Sequence, residues 1–121
     1  MESVPQVLIG LVAITHLYFF WFEFFGWSKA ITVLYKQELP EIFQLPTKVL
    51  MTNQGLYNGF LAAGLIWTFF ISDPLWHTRI SVFFLVCVIV AGTFGAMSLG
   101  KRVFMMQALP AILALAAIWY L

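Results

Sequence analysis

Four long apolar stretches, each able to cross a bilayer, leave this chain little choice of fold. A spanning helix needs about 20 mostly apolar residues. The candidates cover residues 4–27, 47–72, 75–99 and 103–121. The breaks between them are sharp: "SDPLW" carries Asp73 and Pro74, and "GKR" carries Gly100, Lys101 and Arg102. Proline and glycine beside polar residues punctuate helices well. The expected fold class is therefore all-α: a polytopic membrane protein with four transmembrane helices in one compact bundle, a single domain over residues 1–121. The first stretch does not read as a signal peptide, because no Lys or Arg precedes it and no small-residue cleavage site follows.

Composition agrees with a lipid solvent. The chain is 63% hydrophobic and 9% charged, whereas a soluble domain averages about 25% charged residues. The net charge of +1 gives nucleic acid no electrostatic footprint. The single cysteine, Cys87, excludes an intramolecular disulfide and a multi-cysteine zinc site, and reads as a packing residue in an apolar run. No nucleotide loop, dinucleotide fingerprint, metal-ligand spacing or serine-nucleophile motif is present, so neither a metal nor a cofactor is expected.

Charge sets the expected orientation. Lys29, Lys36, Lys48, Lys101 and Arg102 fall on one side of a four-span chain, and Arg79 alone on the other. The positive-inside rule puts the Lys-rich loops in the cytoplasm and both termini outside. Within the first loop, Ile31, Val33, Leu34 and Tyr35 lie beside Lys29, Lys36 and Glu38. That pattern suggests a short amphipathic segment on the membrane surface, ended by Pro40 and Pro46, which lead into the second span. Trp27, Trp76, His77, Trp119 and Tyr120 lie near span ends and read as interfacial anchors.

The polar residues inside the spans are the candidate site. At 1.5 Å rise per residue, Glu23, Gln54 and Gln107 lie roughly 6, 9 and 7 Å from the cytoplasmic ends of their spans, and His16 and Asn58 roughly 16 and 15 Å. His16 and Glu23 are two turns apart on one face, and Gln54 and Asn58 one turn apart on another, with Asn53 and Tyr57 beside them. Polar groups in lipid turn inward and pair. These faces are expected to meet, with the amides donating to Glu23 and His16 reaching Asn58 or Tyr18. Glu23 reads either as a carboxylate that snorkels to the interface, held by Lys48 or Lys101, or as a buried acid that binds a proton or cation. The amides read equally as interhelical glue, since such bonds average only about 0.6 kcal/mol in membranes.

Small residues mark the expected close contacts. Gly55, Gly59 and Ala63 repeat at every fourth position, as do Gly92, Ala96 and Gly100, with Ala91 and Gly95 beside them. Such repeats let helix backbones approach in lipid. Pro110 is expected to loosen the fourth helix and free a carbonyl.

The runs "HLYFFWFEFFGW", "TKVLMTNQGLYNGFLAAGLIW", "FFLVCVIVAGTFGAM" and "QALPAILAL" resemble the small bacterial membrane proteins of domain-of-unknown-function family 1304. The resemblance covers nearly the whole chain. It implies four spans and the bacterial cytoplasmic membrane, and no assigned activity. It also implies a Glu in many relatives where this chain has Thr15, so a Glu-His pair at that point is weakened here.

Three function classes follow. The first is binding or transport of a lipophilic small molecule, proton-coupled through Glu23; one subunit has few polar pathway residues, so this reading requires a homo-oligomer. The second is a membrane-embedded isomerase or hydrolase using Glu23 and His16 as acid and base. The third is a structural or accessory subunit whose partner is the lipid bilayer and its neighbours.

Overall fold

The structure is a computed structural model and describes residues 3–27, 29, 32 and 40–121. Among the described residues helix is the sole regular structure, without strands. Helix α1 spans Ser3–Phe25, α2 Glu41–Thr68, α3 Pro74–Leu99 and α4 Lys101–Tyr120. Three of them, α1, α3 and α4, are long and apolar enough to cross a membrane. Helix α2 is not among these, because Lys48 and the amides at Asn53, Gln54 and Asn58 dilute its apolar run. The amphipathic segment expected in the first loop falls for the most part outside the described residues.

The termini of α3 show how local sequence sets the boundaries. Asp73 is its N-cap, and its carboxylate accepts from the backbone N–H of Leu75 at 2.9 Å and of Trp76 at 3.1 Å. Pro74 follows at the first helical position, where its missing N–H costs nothing. At the other end Gly100 closes the helix with φ 103°, a conformation that favours glycine, and its N–H bonds to the Ala96 carbonyl.

Two expected boundaries are corrected. Pro46 does not precede α2 but lies inside it; in the second turn a proline forfeits only the bond to the carbonyl four residues back, and the helix absorbs the loss. The C-terminus of α2 also comes early, at Thr68 rather than Ser72. Phe69, Phe70 and Ile71 instead make tight bonds back to Ile66, Trp67 and Thr68.

Helix α4 carries a π-helical segment, Phe104–Ala108. The Leu109 N–H reaches back five residues to the Phe104 carbonyl. Pro110 has no N–H to give Met106, and its ring would crowd that carbonyl in an α-helix. The wider π turn just before it relieves that crowding.

The chain divides into two compact units. One comprises residues 1–15 and 61–121. Its core joins Ile9 and Val12 of α1, Leu65 of α2, Leu85 and Val88 of α3, and Ala111 and Ala114 of α4. Buried positions on α3, Ser81, Leu85, Val88 and Gly92, alternate in steps of four and three, the spacing of a helix seam. The α4 side of this contact is a row of alanines, Ala108, Ala111, Ala114 and Ala117. Gly92 lets the backbones close up: a Cβ there would lie 2.7 Å from the Ala108 backbone nitrogen. A Cβ at Gly95 would instead meet the Val103 side chain, at 2.8 Å, while Ala96 is only half-buried and Ala91 is exposed.

The other unit comprises residues 16–60, with Met51 packed on Phe22 and Trp27. Here Gly55 and Gly59 of α2 lie against α1. A Cβ at Gly55 would stand 2.9 Å from the Phe24 nitrogen, and one at Gly59 would meet the Phe20 ring. The expected extension of this seam to Ala63 is corrected: Ala63 is exposed and Ala62 is buried. Eight residues of α-helix turn about 80° away from the starting face, whereas seven residues return to within about 20° of it.

Candidate functional site

The centre of the 16–60 unit is the carboxyl of Glu23. It projects from α1 between Phe22 and Phe24 and is half-buried. Its oxygens are divided between two amides one turn apart on α2. Asn58 Nδ2 donates to Oε1 at 2.6 Å, and Gln54 Nε2 donates to Oε2 at 3.1 Å. Gly55 lies between these amides in sequence, and its missing side chain brings the α2 backbone against the Glu23 Cβ, 3.0 Å from where a Cβ would stand. The approach that seats the helices thus also sets the reach of the amides. An ionised carboxylate has about four acceptor sites, so two amide bonds leave lone pairs for a further partner.

The remaining candidates divide. Asn58 is buried, at 6% exposure, but Gln54, Asn53 and Tyr57 are exposed, which corrects the expectation that the whole group faces inward. Asn53 and Tyr57 share a face rotated away from Asn58, and Tyr57 instead stands beside the Phe60 ring. His16 is buried at 1% exposure, with its ring edge-on to Phe19. Tyr18 stacks on Phe22 with ring centroids 5.7 Å apart. A run of tilted and edge-on ring contacts joins Phe20, Phe24 and Phe25 along the same helix, on the stretch of α1 that carries the carboxyl. Gln107 belongs to the other unit, in the π segment, and packs near Gly92.

That other unit holds a polar group the sequence did not announce. His77, expected as an interfacial anchor, is half-buried and engaged at both ring nitrogens. Its Nδ1 lies 2.6 Å from the Thr68 carbonyl, which also accepts the Ile71 N–H at the end of α2. Its Nε2 meets the side-chain amide of Gln6. The pairing of Gln6 with His77 joins residues 71 apart, a separation no local pattern signals. Trp76 and Trp119 do behave as surface residues, and the Arg79 guanidinium lies 5.2 Å from the Trp76 ring centroid.

Comparison with known proteins adds a relationship but no chemistry. The chain is 29% identical over 116 residues to the "Uncharacterized protein YpaA" of Lactococcus lactis subsp. lactis (strain IL1403), covering 95% of this chain and 96% of that protein. No solved structure matches. The sequence pattern described as "Protein of unknown function (DUF1304)" matches residues 10–119. With nearly the whole of its helical core inside that match, the chain belongs to the DUF1304 family.

Proposed function

We propose that this protein is a four-span protein of the bacterial cytoplasmic membrane that binds and moves a small lipophilic, cationic compound, with Glu23 as the group that exchanges substrate for a proton. The observation that carries this reading is the Glu23 carboxyl, held by Asn58 and Gln54 on a phenylalanine-rich stretch of α1. A carboxylate in such surroundings attracts a cation by charge, and the flanking rings add cation–π attraction. The amides hold the carboxyl in one place while leaving it acceptor capacity. Amides that serve only as glue need no acid between them.

In this reading α2 is the fourth span, Lys29, Lys36, Lys48, Lys101 and Arg102 face the cytoplasm, and both termini lie outside. The protein works as a homo-oligomer, because one chain offers too few polar groups to line a path. The test uses purified protein in liposomes with an imposed pH gradient and tetraphenylphosphonium as probe. Wild type accumulates the cation as the gradient collapses, and Glu23→Gln abolishes the exchange. Equal exchange by the Glu23→Gln variant sinks the proposal and leaves the amides as interhelical glue.

A further inference from the structure

A cavity lies in the 1–15 and 61–121 unit. It measures about 180 Å³, with Gln6, His77, Thr78 and Ser81 as its polar lining and Pro5, Ile9 and Ile118 among its apolar residues. It is independent of Glu23 and of the transport reading.

Ser81 is the residue that makes this cavity more than a packing gap. Its side chain is fully buried, at 0% exposure, and its Oγ has no hydrogen-bond partner among the described residues. Helical hydroxyls ordinarily return their proton to the carbonyl one turn back, and others in this chain do so. Thr15 donates to Leu11, Thr52 to Lys48 and Thr93 to Ile89, at 2.9, 2.8 and 2.7 Å. Ser81 does not take that bond, and an unpaired buried hydroxyl costs about 1–3 kcal/mol. It stands one turn beyond His77 on the same face of α3.

A second unpaired atom follows from a chain of hydrogen-bond logic. The Thr68 carbonyl can only accept, so His77 Nδ1 carries the proton and donates to it. In the neutral ring Nε2 is then an acceptor, and it takes the N–H of the Gln6 amide. That fixes which way the Gln6 amide points. Its carbonyl oxygen, Oε1, is left buried and without a partner among the described residues. The cavity therefore has one buried acceptor in need of a donor and one buried, unpaired hydroxyl able to do either, and no Asp, Glu, Lys or Arg among its lining residues.

We propose that this cavity is a binding site for the hydroxyl group of a neutral amphiphile: a phenol or small alcohol, or the glycerol hydroxyl of a monoacyl lipid. The ligand hydroxyl donates to Gln6 Oε1 and accepts from Ser81 Oγ, and its apolar body lies against Pro5, Ile9 and Ile118. Size agrees, since a closed apolar cavity of about 150 Å³ accommodates benzene. With no Asp, Glu, Lys or Arg among the lining side chains, the cavity favours a neutral ligand over a charged head group.

The test is calorimetric titration of the full chain in lauryldimethylamine oxide, a detergent without hydroxyl groups. The paired probes are p-cresol against toluene, and monooleoylglycerol against methyl oleate. At least one hydroxyl compound binds about tenfold more tightly than its partner, equivalent to one hydrogen bond's worth of affinity. Which pair shows the preference identifies the source as a free phenol or a lipid. Ser81→Ala removes the preference, and the melting temperature of the ligand-free variant is unchanged or higher, because a buried unpaired hydroxyl has been deleted. The Glu23→Gln variant keeps the preference. Equal affinities within both pairs overturn the proposal, as does binding by neither hydroxyl compound. A lower melting temperature for ligand-free Ser81→Ala also overturns it, by showing the hydroxyl already engaged with water.

Discussion

Asn58 Nδ2 lies 2.6 Å from Glu23 Oε1, and it is the shorter, part-buried member of the pair of amide bonds that hold this acid. The Gln54 bond to the other oxygen is longer, at 3.1 Å, and exposed. Interhelical hydrogen bonds in membranes average about 0.6 kcal/mol and reach about 1.7. A double-mutant cycle of Glu23→Gln with Asn58→Leu is expected to give a coupling near that upper value. The same cycle with Gln54→Leu is expected to give the average or less. Unfolding in mixed micelles measures both, and equal couplings would show that burial does not distinguish the two amides.

Glycine replacements separate backbone approach from open space. A Cβ at Gly55 would meet the Phe24 nitrogen at 2.9 Å and the Phe20 carbonyl oxygen at 3.2 Å, neither of which can swing away. Gly55→Ala is expected to destabilise by about 1–3 kcal/mol, as overpacking does. At Gly10 the nearest atom would be the Phe69 ring at 3.7 Å, an ordinary contact. Gly10→Ala is expected to stabilise, by up to about 1 kcal/mol, through helix propensity. Thermal unfolding of both variants in one detergent checks the opposite signs.

The displaced seam on α2 has its own test. Ala62 is fully buried and Ala63 exposed. Ala62→Leu is expected to cost about 1–3 kcal/mol, and Ala63→Leu to stay within about 0.5 kcal/mol of wild type. A larger cost at Ala63 would mean that its exposed face is covered by another chain, which an accompanying change in oligomeric state would report.

The cap of α3 is a local device and is expected to behave as one. Asp73→Ala removes two backbone hydrogen bonds and is expected to cost about 0.5–2 kcal/mol. Asp73→Asn keeps an acceptor and is expected to recover most of that loss. Chemical unfolding of the two variants gives the comparison, and equal losses would show that the carboxylate charge rather than the cap geometry matters.

Reading along the chain was enough for the all-helical class, the sharp ends of α3 and the family, because these rest on local rules. Apolar length sets a helix, Asp73-Pro74 and Gly100 punctuate it, and a motif such as "NQGLYNGFLAAG" is read without folding anything. The bonding of Gln54 and Asn58 to Glu23 was suggested by phase and depth, since residues four apart share a helix face. Local rules misplaced Pro46, carried the glycine seam to Ala63 and turned Asn53 and Tyr57 inward. They also left the π segment before Pro110 and the Gln6–His77–Ser81 cavity unseen. Pro46 and the π segment were settled within their own helices, whereas the faces of α2 and the cavity turned on which side of a helix meets its neighbour, or on a bond between residues far apart in sequence. Those relationships are fixed by how side chains interlock, and the tertiary structure alone decided them.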